Sequence, residues 1–210
     1  MVAQNHNPTI LNPDFLKHND IVPGDWNLKR APICVEPMAE VFFENDIKIN
    51  AQLDKVIFFE PIKENKKISK LKIILMAKKY VETLRHVKYT AVGINPIGHI
   101  IFDTYDSAKG FMSDNFIKSG PWKEYDEQLT NIRLNLSYKF SDVEMNLSIN
   151  PSAYRIADKE SLPVLLLGAN FHHTIDGKSY ERLIPDTTKI IMNWQSDIKI
   201  LEQFINKLPL

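Results

Sequence analysis

The sequence has few of the residues on which whole classes of protein depend. Its single cysteine, Cys34, excludes an internal disulfide, and with it a small secreted domain held together by disulfides. The neighbours Ile33 and Val35 are apolar, which predicts a buried thiol rather than a reactive one. With only seven glycines, the chain has no dinucleotide-binding fingerprint, no P-loop and no Gly-x-Ser-x-Gly motif. The common nucleotide and hydrolase motifs are therefore missing.

Long hydrophobic runs are missing as well. The longest apolar runs, at 73–77 and 164–167, are only a few residues long, whereas a membrane-spanning helix needs about 20. Residues 1–13 are polar and lack the basic-then-apolar order of a signal peptide. Together with the single cysteine, these features predict a cytoplasmic protein without a membrane partner.

Charge is balanced overall but unevenly distributed. The chain has 26 Lys and Arg residues and 26 Asp and Glu residues, so its formal net charge is zero. Between 61 and 90, however, nine cations face only two acids. No aromatic side chain free for base stacking lies among them. We therefore expect a solvated face or a dock for an acidic protein surface, and no nucleic-acid partner. The cations on the predicted helix of this stretch are Lys72, Lys78, Lys79 and Arg85.

The spacing of apolar residues predicts an α+β fold. Alternation with a period of two indicates strands that bury one face. The predicted strands are 39–44, 47–53, 56–60, 89–94, 99–103, 132–140, 143–149 and 163–175. They correspond to two three-stranded meanders plus a central strand pair, although one long bulged strand is the alternative to that pair. The expected sheet is mostly antiparallel, with about seven to eight strands.

Helical spacing predicts two long amphipathic helices on one face of this sheet. The first begins after Ser69, which can cap it, and runs to about His86. The second begins near Asp186 or Thr187 and extends to Leu208. A shorter helix is expected at 106–117.

The chain divides into a proline-rich arm and one domain. Prolines recur throughout residues 1–37, which predicts an extended arm because proline interrupts helices and removes ladder donors. Residues 38–210 are predicted to form a single α+β domain. Two pseudo-equivalent halves, 38–105 and 128–210, are left open as an alternative.

The segment 170–176 is the densest in chemically capable side chains. Asn170 and His172 could contribute to a catalytic or ligand-binding site together with His99 and Asp103. Successive residues of a strand point to opposite faces, so His172 and His173 cannot easily share an ion. We therefore predict no metal and no cofactor, and these four residues are weak candidates for catalysis.

Several segments are apolar on both faces and need a cover. Residues 56–59 and 162–167 have this property, and Leu71 and Leu75 fall on the polar side of the first long helix. The arm, which contains Trp26, or a second protein chain could supply the cover. No motif identifies the function. The leading hypothesis is a non-catalytic protein-binding or self-associating protein, a homodimer, that uses Trp26, Leu71, Leu75 and the four helical cations. The alternative is a small enzyme or ligand-binding protein at Asn170, His172 and His99.

Overall fold

The structure is a computed structural model that describes residues 1–63, 68–123, 129–155, 161–176 and 180–209. It is an α+β fold with antiparallel sheets, which confirms the predicted fold class. Among the helices in these ranges, none combines the length and the apolarity required to cross a membrane.

The described residues contain ten strands and five α-helices. The strands are Val2–Gln4 (β1), Ile33–Val35 (β2), Met38–Phe42 (β3), Lys48–Gln52 (β4), Val56–Phe59 (β5), Lys88–Ile94 (β6), Ile97–Ile101 (β7), Leu134–Lys139 (β8), Glu144–Arg155 (β9) and Ser161–Thr174 (β10). The helices are Pro13–His18 (α1), Ile73–Thr83 (α2), Tyr105–Phe116 (α3), Tyr180–Met192 (α4) and Trp194–Ile205 (α5). The strand count exceeds the predicted seven to eight because three-residue strands such as β1 and β2 are too short to show a period-two pattern.

The strands form two sheets, not the single sheet predicted. One has four strands in the order β2-β3-β4-β5. The other has six strands, with the order β1-β6-β10-β9-β8 and with β7 also paired to β10. Short strands from the N-terminal residues join both sheets, and sequence alternation cannot reveal which sheet a strand joins.

The chain folds into two compact units. The first consists of Met1–Gly93 and His172–Asp197, and the second of Ile94–Phe171 and Ile198–Leu210. The predicted arm of residues 1–37 lies inside the first unit.

The proline pattern predicts that residues 1–37 are extended. In the structure, part of this segment is helical. Asn12 caps α1 by accepting a hydrogen bond from the backbone N–H of Phe15 at 2.8 Å, and Pro13 occupies the first helical position. A proline is tolerated there because its missing N–H would have no partner inside the helix. Leu11 and Leu16 are completely buried. Leu11 and Leu16 therefore belong to the core of the first unit.

The prediction of a buried Cys34 thiol is wrong. Cys34 is exposed, and its thiol lies 3.6 Å from the backbone oxygen of Thr9. The apolar neighbours Ile33 and Val35 belong to a short edge strand, where flanking hydrophobicity does not imply burial.

The first meander forms as predicted. Val41 lies opposite Ile49, and Ile49 lies opposite Phe58, in antiparallel register. Val41 and Ile49 are fully buried. The period-two alternation therefore places one face of the four-stranded sheet in the core of the first unit.

The helix α2 is capped by a residue distant in sequence, not by Ser69 as predicted. The Glu60 Oε2 atom accepts hydrogen bonds from the backbone N–H groups of Lys72 at 2.7 Å and Ile73 at 3.0 Å. A carboxylate at this end satisfies two unpaired donors and favours the helix dipole. Ser69 instead lies in a 3₁₀ turn before the helix.

The segment 186–208, predicted as one helix, forms α4 and α5. Helix α4 begins earlier, at Tyr180, and continues through Pro185. Asn193 separates the two helices, and its carbonyl accepts a hydrogen bond from the backbone N–H of Ser196 at 3.0 Å. Both α2 and α4 belong to the first unit and pack against each other.

The predicted strand pair at 89–103 is wrong, and the alternative of one long interrupted strand describes the structure better. The backbone N–H of Ile175 donates a hydrogen bond to the backbone oxygen of Thr90 at 2.9 Å. The backbone N–H of Ala169 donates one to the backbone oxygen of Pro96 at 3.0 Å. The strand β7 continues in the same register, with Leu166 opposite His99. Thus β6 and β7 both lie along β10. The chain does not turn back at Asn95-Pro96-Ile97-Gly98.

The hairpin in the second unit forms as predicted. Leu136 on β8 lies opposite Leu147 on β9, and Lys139 lies opposite Glu144 across the turn. The inward residues of β9 and β10 meet α3 and the end of α5 in one apolar cluster. Its buried members are Met112, Met145, Leu147, Ile149, Leu165, Leu167, Ala169, Phe171 and Leu201.

We predict that Glu60→Ala destabilises the protein by about 1–3 kcal/mol, since two backbone donors at the start of α2 lose their acceptor. Glu60→Gln keeps an acceptor oxygen and should cost less. Urea unfolding followed by circular dichroism measures both. Equal losses for the two variants would show that the acceptor oxygen is not what matters.

Candidate functional site

The residues predicted for a histidine-centred site are dispersed. His99 lies opposite Leu166 on β10. Asn170 is four residues further along β10, a distance of about 13 Å on a strand. The Asn170 amide donates a hydrogen bond to Asn95, whereas the His99 ring stacks on Tyr154 with a centroid distance of 4.6 Å. The second unit thus contains Asn170 and His99 without bringing them together.

The other two candidates, Asp103 and His172, belong to different units. Asp103 is exposed just after β7, and His172 is half-buried in the first unit. Over the described ranges, no three His, Cys, Asp or Glu side chains lie close enough together to hold a metal ion.

The neighbouring histidine has a partner that sequence reasoning missed. His173 Nε2 lies 2.8 Å from Asp197 Oδ2, and their side chains are only 14% and 3% exposed. Since a carboxylate only accepts hydrogen bonds, Nε2 carries the proton and Nδ1 is left as the acceptor when the ring is neutral. Asp197 lies in the first turn of α5. The hydrogen bond from His173 satisfies the buried Asp197 carboxylate. A histidine that acts as a general base can be held by a carboxylate in the same way.

A second buried polar cluster surrounds His6. Its Nδ1 donates to the Gln52 backbone oxygen at 2.9 Å, and its Nε2 accepts the Tyr80 hydroxyl at 2.7 Å. Burial lowers the pKa of His6 below its usual 6.5, although the bond to Gln52 opposes this shift. Burial also lowers the pKa of the Met1 amino group to about 6 and raises those of the Tyr80 and Tyr89 hydroxyls. The cluster holds a neutral histidine inside the first unit.

Several predicted interaction residues contact their own chain. The Lys72 ammonium lies 5.0 Å from the centre of the Trp26 ring, which packs edge-on against Phe43. Lys78 pairs with Glu82 at 2.8 Å on the same helix. Lys72, Trp26 and Lys78 therefore stabilise the first unit internally, whatever else they bind.

The remaining predicted interaction residues lie on or just beyond α2 without forming one apolar surface. Leu71 is half-buried, Leu75 is 63% exposed, and Lys79 and Arg85 are exposed. Among Leu71, Leu75, Lys79 and Arg85, the exposed apolar side chain is thus that of Leu75.

A larger exposed surface is the outward face of the four-stranded sheet, which we call the outer face. Its apolar residues are spread across β2, β3 and β5, opposite the buried face of the meander. Val35, Ile57 and Phe59 are 54%, 43% and 48% exposed. The apolar members of the outer face are Ile33, Val35, Met38, Phe42, Ile57 and Phe59.

The outer face combines aromatic rings with charges. Phe42 lies opposite Lys48, and Lys48 lies opposite Phe59, so the three form one row across three strands. The Lys48 ammonium lies 5.9 Å from the centre of the Phe59 ring. Glu40 pairs with Arg30 and lies 3.7 Å from the Lys48 ammonium. Cations and a carboxylate therefore alternate with apolar side chains on this surface.

The sequence contained a signal for the outer face. Residues 56–59 are apolar at four consecutive positions, which marks a strand with two apolar faces. Ile33 and Val35 cannot be assigned from sequence, because residues 1–37 are predicted as an arm. Comparison with protein-family models, curated proteins and solved structures found no match for this chain. Its function is therefore inferred from these surfaces.

We predict that stability decreases as pH falls below about 6.5. The folded state favours neutral His6, whereas the unfolded chain binds a proton more readily, so acid lowers the free energy of unfolding. This free energy, measured by urea unfolding between pH 7 and 5.5, should fall less in His6→Gln. The exposed His18 is the matched control, and His18→Gln should follow the wild type. If all three slopes agreed, His6 would not cause the pH dependence.

We also predict that His173→Ala lowers stability by roughly 3 kcal/mol or more, because Asp197 is left buried without its partner. Asp197→Asn keeps an acceptor for His173 and should cost less. His172→Ala, at the adjacent half-buried position, serves as control and should cost about 1 kcal/mol or less. Similar losses at 172 and 173 in thermal or urea unfolding would contradict the assigned role of the pair.

Proposed function

We propose that this chain is a non-catalytic protein-binding protein that self-associates through the outer face. The observation that carries the proposal is a group of exposed apolar side chains, Val35, Ile57 and Phe59, on a sheet whose opposite face is buried. Antiparallel sheets commonly leave one face in water, but that face is then mostly polar. Exposed apolar side chains that gather on one surface are typical of interaction sites.

A second copy of the chain is the partner that the charges favour. Glu40 lies between Arg30 and Lys48. In a two-fold contact the same patch meets itself. Because the Glu40 side chain is only 11% exposed and already pairs with Arg30 and Lys48 of its own copy, the charges of the patch are largely compensated before the copies meet. The formal net charge of zero adds no long-range repulsion between copies. A patch of a single sign would oppose self-association, whereas this mixed patch does not.

The aromatic side chains are the expected centre of the contact. Phe59 and Ile57 are both about half exposed and lie on the same face of β5. Burial of such side chains contributes roughly 1.5–3 kcal/mol each, and interface energy concentrates in a few central residues. A cytoplasmic location, expected from the single cysteine, accompanies this proposal as a prediction.

The competing enzyme hypothesis has one observation in its favour, the His173–Asp197 pair. That pair already accounts for a buried carboxylate, so its existence does not require a catalytic role. The predicted candidates Asn170 and His99 are about 13 Å apart along the sheet. Protein binding is for these reasons the function that we propose.

We predict a mass of at least twice the 24.3 kDa of one chain in sedimentation experiments at micromolar concentration. Phe59→Lys should weaken self-association at least about tenfold, since it places a charge at the centre of the apolar contact. Leu75→Lys is the matched control, because Leu75 is an exposed apolar residue of the same unit outside the outer face. It should associate like the wild type.

Circular dichroism of both variants checks that they remain folded. Loss of association in Leu75→Lys but not in Phe59→Lys would move the interface to α2 and overturn the proposal. A wild-type protein with a single-chain mass at all accessible concentrations would do so as well.

A further inference from the structure

Within the described residues, one backbone edge of β7 is open. The backbone N–H of Phe102 donates a hydrogen bond to the backbone oxygen of Pro163 at 3.0 Å, and the backbone oxygen of Pro96 accepts one from the N–H of Ala169 at 3.0 Å. The backbone groups of Pro96 and Phe102 therefore point toward β10. In an antiparallel ladder the intervening alternate residues direct their backbone groups to the opposite side. Those residues are Ile97, His99 and Ile101. Their N–H and C=O groups form the open edge.

β6 and β7 present their outward backbone groups on the same side of the sheet. Within the described residues, this side is paired along the first part of β6. On the preceding strand β6, Tyr89 and Ala91 are paired with Ala3 and Val2 of β1. Among the strands of the described residues, β7 pairs with β10 alone. The unpaired stretch therefore begins beyond Ala91 and includes all three outward residues of β7.

This edge lacks the features that usually prevent strand pairing. Native edges are protected by lysines, inward charges, bulges or a proline on the open side. No charged residue occurs from Asn95 to Phe102, and the missing N–H of Pro96 faces β10, not the open side. Ile97 and Ile101 are 69% and 59% exposed. Both the backbone and the side chains of β7 are thus available to another strand.

We propose that β7 pairs with β7 of a second copy of the chain, antiparallel and centred on His99. The pattern of the strand favours a second copy as the partner, because Ile97 and Ile101 are placed symmetrically about His99. A two-fold axis at His99 would set Ile97 opposite Ile101 of the other copy and His99 opposite its equivalent. Each of these three pairs would exchange two backbone hydrogen bonds, and a Cα separation of about 5.5 Å is usual for such pairs.

The neighbouring registers are less favourable. A shift by two residues in one direction sets Asp103 opposite Ile97, and a shift in the other sets Asn95 opposite Ile101. Each shift replaces an apolar pair by one between an apolar and a polar or charged side chain, which cross-strand packing disfavours. The symmetric register is the one that sets Ile97 opposite Ile101 in both halves of the contact.

This pairing goes beyond the proposed function, because it uses β7 of the second unit and not the outer face of the first. Either contact can form without the other. A chain with both two-fold contacts would assemble beyond a dimer, since two isologous interfaces on one molecule link successive copies. The Phe59→Lys variant separates the two contacts by removing the first.

The test is a charge exchange at residue 99 in the Phe59→Lys background. This background should remain dimeric through β7. Addition of His99→Lys, or separately of His99→Glu, puts like charges opposite each other and should raise the dimer dissociation constant at least about tenfold. An equimolar mixture of the two should restore the dimer, because the lysine introduced in one chain then meets the glutamate introduced in the other. Recovery in the mixture also shows that both variants are folded.

Asn135 on β8 supplies the matched control, since it is an exposed position on the last strand of the same sheet. Asn135→Lys and Asn135→Glu should leave the dimer intact. Hydrogen exchange of the Phe59→Lys protein at high and low concentration gives a second readout. The amides of Ile97, His99 and Ile101 should be protected only where dimers form.

The ways in which this test can fail are distinguishable. If Phe59→Lys alone is a monomer, the β7 pairing is wrong and the proposed function stands. If Phe59→Lys is a dimer that neither charge at residue 99 weakens, the β7 pairing is wrong. The outer-face contact is wrong as well if the wild type forms no larger assembly than Phe59→Lys. If each charged variant is a monomer but the mixture stays monomeric, β7 contributes without being centred on His99, and the proposed register is overturned.

Discussion

The antiparallel pairing of β10 determines which backbone groups of β6 and β7 are satisfied and which are not. Hydrogen bonds at Thr90, Pro96 and Phe102 keep one register along β10. Because the partners alternate, the residues between these positions must seek hydrogen bonds on the other side. Tyr89 and Ala91 find them in β1. No strand of the described residues provides them for β7, and its exposed isoleucines follow from the same alternation.

Alternation has a comparable consequence for the four-stranded sheet. Every second residue of β3, β4 and β5 enters the core of the first unit, so the remaining residues must form the outer face. On β4 these outward residues are Lys48, Asn50 and Gln52, as expected of a wet surface. On β5 they are Ile57 and Phe59, which water solvates poorly. The difference between the two strands is the physical reason for assigning an interaction to this face.

Three buried polar groups in the first unit are paired over long sequence distances. Glu60 caps a helix twelve residues later, His6 bonds to Tyr80, and His173 bonds to Asp197. Each pairing satisfies a group whose burial alone would be costly. None could be predicted from spacing, because the partners come from different elements. The sequence pointed to His172 and Ser69, whereas in the structure His173 makes the contact with a buried carboxylate and Glu60 caps α2.

The sequence by itself determined the fold class, the first meander, the β8–β9 hairpin and the helix α2, since each is specified by local periodicity of apolar residues. It also showed that residues 56–59 are apolar on both faces. Only the tertiary structure decided that Leu11 and Leu16 of the N-terminal segment join the core, that β6 and β7 share one partner strand, and that no strand of the described residues covers one edge of β7. These features depend on contacts between residues far apart in the chain. Local periodicity shows how much apolar surface an element must bury, but the element against which it is buried depends on how the whole chain packs.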